Sequence, residues 1–185
     1  MHSFAGPDGS GPLAGLVLVS DGNFYGTTNF GGTFNEGTVF KMSPGGKLTS
    51  LYSFVGGTGP YGGLVQGTDG NFYGTTQGSN TVFQITPAGV LTTLFTFNYF
   101  DGFEPLDTPV QGTDGNFYAT TYQGGDNYGT VFSLTMGLSP FVETNPTTGV
   151  VGERVAILGN SLTGRLPSAL MALRRSSKFC PAPRS

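Results

Sequence analysis

"DGNFYGTT" occupies Asp21 to Thr28, returns unchanged at Asp69 to Thr76, and comes back as "DGNFYATT" at Asp114 to Thr121. The copies start 48 and then 45 residues apart, and a fixed period in this range marks a repeat architecture. Other phrases keep step. "GTVFKMSP" (37–44) answers "NTVFQITP" (80–87) and "GTVFSLTM" (129–136), and "LTSLYSF" (48–54) answers "LTTLFTF" (91–97). "LAGLVLVS" (13–20) answers "YGGLVQGT" (61–68) and "LDTPVQGT" (106–113).

Each unit therefore holds four short apolar or β-branched phrases, A to D, separated by turn residues; in the second unit they are Leu64 to Gln66, Asn71 to Thr76, Thr81 to Ile85 and Leu91 to Phe97. Asp-Gly stands between A and B, where a hairpin turn needs a positive φ that glycine adopts freely. "SPGGK" and "TPAG" stand between C and D. Phrase C alternates, with Phe40 and Met42 on one side and Val39 and Lys41 on the other, a period of two. Four antiparallel strands per 45–50 residues is the arithmetic of a β-propeller blade, and a blade buries its two faces only against neighbours. The expected fold is all-β: about three blades of a partial propeller over residues 1–136, with units near 13–54, 61–97 and 106–136. The repeated Asp and Asn are read as turn formers.

The ordered set "DGNFYGTT", "GTVFK" and "LTSLYSF" resembles the Gloeobacter/Verrucomicrobia (GloVer) tandem repeat over roughly residues 1–136. That resemblance implies a bacterial protein, secreted or held at the cell surface, with no assigned enzyme activity.

The opening "MHSF" matches the end of phrase D, with Phe4 lying 17 residues before Asp21 as Phe97 lies 17 before Asp114. Residues 1–4 are read as the remnant of a preceding blade. Three blades fall short of the four to eight of a closed ring. Upstream blades or self-association are expected to complete it. Residues 138–164, "LSPFVETNPTTGVVGERVAILGNSLTG", resemble the start of an IPT/TIG domain, an immunoglobulin-like sandwich that needs about 100 residues and is truncated here.

Three of the eight basic residues and all eleven acidic ones precede Arg165, so residues 1–164 carry −8 and the last 21 carry +5. This abrupt reversal, and a one-base shift of frame that permits a continuation of the sandwich pattern, lead us to read 165–185 as a frameshifted, non-native tail. The acidic body argues against nucleic acid as a partner. One cysteine, Cys180, excludes an internal disulfide. No run of 18 apolar residues writes a membrane span. His2 is the only histidine and lies in the strand remnant at residues 1–4, so no His-based triad or metal site is expected. No catalytic residue, cofactor or metal is expected.

Recognition is the better functional expectation. In a propeller the B–C and D–A loops share one face. The B–C loops vary, with Asp21 to Val39 spanning 18 positions, Asp69 to Val82 13, and Asp114 to Val131 17. The D–A loops are long and aromatic, as in "NYFDGFEPLDT" (98–108). Loops that vary on a constant frame are where recognition usually lives. The candidate ligand- or partner-binding residues are Phe30, Phe34, Tyr61, Tyr99, Phe100, Phe103, Tyr122 and Tyr128, against the alternative that these rings pack between loops. Three functions follow. The first is a non-enzymatic extracellular or surface repeat protein for adhesion, structure or interaction with surface proteins. The second is a glycan-binding propeller. The third is a propeller lyase of the streptogramin-lyase type, with catalytic residues in blades outside this chain.

Overall fold

The computed structural model describes residues 1–57, 59–145 and 156–159, and they form strands without a helix. The first repeat is a four-stranded antiparallel sheet, β1 (Val17–Leu18), β2 (Phe24–Thr28), β3 (Thr38–Met42) and β4 (Leu48–Ser53), in that order. The second repeats it with β5 (Val65–Gln66), β6 (Phe72–Thr76), β7 (Thr81–Ile85) and β8 (Leu91–Thr96). The third has β9 (Val110–Gln111), β10 (Phe117–Thr121) and β11 (Thr130–Leu134), with β11 at its edge. This is a partial β-propeller of successive four-stranded blades, the last showing three strands among the described residues.

The turns explain the spacing. Gly22 donates to Val19 O (2.9 Å) and Val19 to Asn23 O (3.1 Å), so the A–B connection is a three-residue hairpin loop with Gly22 at φ +77°. Gly70 and Gly115 repeat it. The C–D turns use the same construction, with Gly46 and Gly89 at φ +87° and +90°. The β3–β4 and β7–β8 pairings carry the same irregularity, at Val39/Phe40 and Val82/Phe83.

The core lies between blades rather than within one. Val19, Tyr25, Val39 and Phe54 of the first blade meet Leu64, Phe72, Phe83 and Ile85 of the second, all buried. Two aromatic rungs recur at successive junctions. The tyrosine of "NFY" stacks on the phenylalanine of the next "NFY": Tyr25 on Phe72 at 4.3 Å and Tyr73 on Phe117 at 4.0 Å between centroids. The last phenylalanine of phrase D stands edge-on to that of the next phrase C: Phe4 to Phe40 at 5.3 Å, Phe54 to Phe83 at 5.4 Å, and Phe97 to Phe132 at 4.8 Å. Each buried ring contributes about 1.5–3 kcal/mol by leaving water, and each such pair about 0.5–1.5 kcal/mol more. The strand-C alternation therefore separates two buried faces, one toward the preceding blade and one toward the next.

Glycine in the first two copies of the phrase is a packing requirement. A Cβ on Gly26 would lie 2.7 Å from the Phe40 ring, and one on Gly74 2.6 Å from the Phe83 ring. The third copy has Ala119 there, opposite Phe132.

After β11 the chain returns past the A–B turn of the third blade, where Phe141 N–H donates to Thr113 O (3.0 Å). Then β12 (Val142–Asn145) and β13 (Ala156–Gly159) pair antiparallel. Most of the expected IPT/TIG segment, and all of the expected frameshifted tail at 165–185, lie outside the described residues.

Candidate functional site

The repeated Asp is committed to the frame. Asp21 Oδ1 accepts from Asn23 N–H (2.9 Å), while Oδ2 accepts from the Tyr25 hydroxyl (2.9 Å) and the Lys41 ammonium (2.9 Å). Asp69 and Asp114 repeat the turn bond to Asn71 and Asn116 and the tyrosine bond to Tyr73 (2.9 Å) and Tyr118 (2.6 Å). The carboxylate thus ties its own turn to the tyrosine that reaches the next blade. Lys41 first, then the Asn23 N–H, hold the Asp21 carboxyl well below the usual carboxylate range. The Tyr118 hydroxyl and the Asn116 N–H lower Asp114. Burial, aided by the Asp69 carboxylate, pushes Tyr73 up to about 12.

The threonines close the other end of each hairpin. Thr28 and Thr38 share a hydroxyl bond at 2.8 Å, Thr76 and Thr81 at 2.7 Å, and Thr121 and Thr130 at 2.9 Å. One residue earlier, Thr27 donates to Gly62 O and Thr75 to Asp107 O, both at 2.9 Å, each reaching the loop that leads into the next blade.

In the first and third blades the loop face is assembled by backbone pairing between the D–A loop and the B–C loop that follows it. Phe103 N–H donates to Gln123 O (2.7 Å), Gln123 N–H to Phe103 O (3.0 Å), Tyr122 N–H to Glu104 O (2.9 Å) and Gly125 N–H to Tyr99 O (3.1 Å). At the first blade, Ser10 and Phe30 exchange both backbone bonds at 2.8 and 2.9 Å. The shared face expected from the strand order is therefore present.

The eight candidate aromatics are divided over that face. Tyr99, Phe100, Phe103, Tyr122 and Tyr128 belong to the zipped pair of loops at 98–108 and 122–129. Among the eight, the one ring contact among the described residues is Tyr99 with Phe103, at 5.9 Å. The Tyr99 hydroxyl also donates to Asn127 Oδ1 (2.7 Å), tying the two loops together. Phe30 and Phe34 sit on the first blade's B–C loop, and Tyr61 on the loop between the first two blades. Seven of the eight are exposed, from 38% for Tyr61 to 85% for Phe100 and 92% for Tyr128, whereas Phe103 is half-buried.

One residue of this face, Glu104, has a backbone role that the sequence reading did not assign to it. Glu104 adopts φ +56°, a left-handed conformation that costs a side-chain-bearing residue on the order of 1 kcal/mol. Its N–H is held by Asn80 Oδ1 (2.8 Å), and its carboxylate receives Gln77 Nε2 (3.4 Å) and Gln123 Nε2 (3.5 Å). The signal was present: the equivalent residue before proline is Gly11 in "SGP" and Gly59 in "TGP". Among the described residues, no group of three or more His, Cys, Asp or Glu side chains is arranged to hold a metal ion. His2 is engaged by Asp8 (2.7 Å).

Among solved structures, a nidogen–laminin complex matches with a TM-score of 0.51 and 16% identity, over 81% of this chain and 49% of that one. A streptogramin B lyase matches with a TM-score of 0.45 and 18% identity, over 65% and 39%. A virginiamycin B lyase from Staphylococcus aureus matches with a TM-score of 0.46 and 16% identity, over 70% and 42%. The chain spans about half the length of these proteins or less, and identities this low speak to the fold alone. No curated protein sequence matches the chain. The family model of the Gloeobacter/Verrucomicrobia repeat matches residues 1–132, well over half of the sequence, and the chain belongs to that repeat family.

Proposed function

We propose that this repeat protein is a non-enzymatic module of the cell exterior, secreted or surface-held, that works by adhesion or recognition through its B–C and D–A loop face. One observation carries the reading. The ionisable groups that recur in every repeat are spent on the frame, while the exposed aromatic rings, Phe95 of β8 apart, lie on the B–C and D–A loops. Asp21, Asp69 and Asp114 each bind their own turn and tyrosine. Phe100 and Tyr128 present most of their surface beside Asn127, Asp101 and Asp126, a mixture of flat apolar rings and hydrogen-bonding groups suited to sugar rings or to a protein partner. Glycans and surface proteins are the proposed ligand classes. The antiparallel pairing of β12 with β13 supports the further proposal that an immunoglobulin-like spacer begins after the repeats.

The test is a glycan array run beside immobilised bacterial and host surface proteins, probed with the full chain and with a Phe100→Ala/Tyr128→Ala variant. Binding that falls at least tenfold in the variant, with unchanged thermal unfolding, supports the reading. Absence of binding, or binding indifferent to both substitutions, contradicts it.

A further inference from the structure

The junction between the second and third blades carries a polar cluster on the loop face that the junction before it lacks. Three positions define each junction: the residue after the threonine that ends strand B, the residue before the proline of the D–A loop, and the second residue of the B–C loop that follows. At the first junction they are Asn29, Gly59 and Gly78, and at the second they are Gln77, Glu104 and Gln123. Glu104 receives one amide from each side, Gln77 Nε2 on Oε1 at 3.4 Å and Gln123 Nε2 on Oε2 at 3.5 Å. All three residues are half-buried, so the cluster is seated in the frame and still open to solvent.

This carboxylate differs from those of the frame in three ways. The Asp–Tyr bonds of the hairpins measure 2.6–2.9 Å, whereas both bonds to Glu104 exceed the ordinary N–H to oxygen range of about 2.7–3.2 Å. The ion pairs among the described residues are His2 with Asp8 and Lys41 with Asp21, and neither involves Glu104. Its backbone is also fixed in a glycine's conformation: Glu104 stands at φ +56°, with its N–H held by Asn80 Oδ1 at 2.8 Å, while its counterpart at the first blade, Gly11, stands at φ +66°. Left-handed strain of about 1 kcal/mol against two long hydrogen bonds gives no net stability to explain a glutamate here, and strain of this kind gathers where a side chain is used.

The geometry points to a sugar subsite in which Gln77, Glu104 and Gln123 take two adjacent hydroxyls of a neutral pyranose, an inference that rests on the glycan reading of the loop face given above. A carboxylate offers about four acceptor positions, and the two amides fill only two of them, at long range. Each hydroxyl of a vicinal diol donates to one carboxylate oxygen at about 2.5–2.7 Å, a charge-assisted bond roughly twice as strong as a neutral one. The same hydroxyl oxygen accepts the second N–H of the neighbouring glutamine, because each amide nitrogen has two donors. Two acceptors flanked by two donors therefore match an atom that donates and accepts at once. An ammonium or guanidinium has donors only and would set its charge against the amide N–H groups, and an anion is repelled by Glu104. Tyr122, whose N–H is bonded to Glu104 O (2.9 Å), is 65% exposed and adds a flat apolar ring beside these polar groups, the usual composition of a small-ligand site.

The side-chain amide resonances of Gln77 and Gln123 in the isotope-labelled full chain test it. Methyl α-mannoside, methyl β-glucoside, methyl β-galactoside and methyl α-fucoside are titrated separately to roughly 20 mM, well above a single-sugar Kd of about 1 mM. Both amides should move together and saturate with at least one of these sugars. Glu104→Gln, which removes the charge from the acceptor, should weaken that binding at least tenfold. Glu104→Gly, which installs the residue present at the counterpart positions Gly11 and Gly59, should abolish it with unchanged circular dichroism. Amides that stay still with all four sugars overturn the inference, as do shifts that persist in Glu104→Gly or a response confined to a charged sugar such as glucosamine. Binding on a glycan array that depends on Phe100 and Tyr128 but survives Glu104→Gly would overturn this subsite and leave the loop-face reading standing.

Discussion

Tyr73 and Tyr118 come from the same phrase, close the same turn and bond the same aspartate, yet Tyr73 is fully buried and Tyr118 is not. Val82 and Val131 repeat the contrast. Strand, turn and hydrogen bond belong to the repeat itself, whereas burial depends on whether another blade stands beside it. The second blade, sandwiched on both faces, is the core of the described residues; the third has the same local structure with Val131 and Thr120 exposed. Stability in such arrays comes from unit and neighbour terms added in series.

That contrast can be broken most forcefully at Phe83, buried against Phe54. Phe83→Ala should cost about 3–5 kcal/mol in urea unfolding, while Val131→Ala should stay within about 0.5 kcal/mol. Equal losses would mean that the third blade is covered.

Alkali provides the second test. Tyr73 has its hydroxyl raised to about 12 by burial and by Asp69, so its contribution is complete below the ordinary tyrosine value near 10 and is lost as pH climbs through about 12. The loss should be about 2–3 kcal/mol by denaturant titration, and Tyr73→Phe should abolish it. The acid limb has the opposite sign. Asp21 and Asp114 are lowered, so their contributions are present above about pH 4 and fade as pH falls toward their folded values.

The glycine position sharpens the contrast between copies. Gly74→Ala drives a Cβ into the Phe83 ring and should cost about 1–3 kcal/mol. Ala119→Gly in the third copy should cost only about 0.5–1 kcal/mol, the entropy of a strand glycine. The smallest effect belongs to Glu104→Gly. Relief of the left-handed strain offsets the loss of two long hydrogen bonds, and the melting midpoint should move by less than the equivalent of about 1 kcal/mol.

Much of the fold was legible because each strand is bounded by its own local chemistry. Asp-Gly and Pro-Gly turns, together with the period-two alternation of "TVFKM", place β2, β3, β6 and β7 without tertiary information. The direction of packing was not legible. Nothing in "NFY" says that Phe72 faces the preceding blade and Tyr73 the next, because both are aromatic and both become buried. The Asp–Tyr bond also escaped, since it depends on how a turn folds the chain back over four residues. On the loop face, the rings of 98–108 read as recognition candidates against the alternative of packing between loops; Tyr99 and Phe100 are exposed, whereas Phe103 is half-buried. The zipper of 98–108 with 122–129 is a backbone pairing between loops of different length, and that leaves no pattern in the side chains.

The most direct test of the stacked-blade account is a set of nuclear Overhauser contacts between aromatic rings in the labelled chain. The account predicts cross-peaks linking Tyr25 to Phe72 and Tyr73 to Phe117, whose centroids lie 4.3 and 4.0 Å apart. Tyr25 and Tyr73 ring contacts confined to their own blades would contradict it.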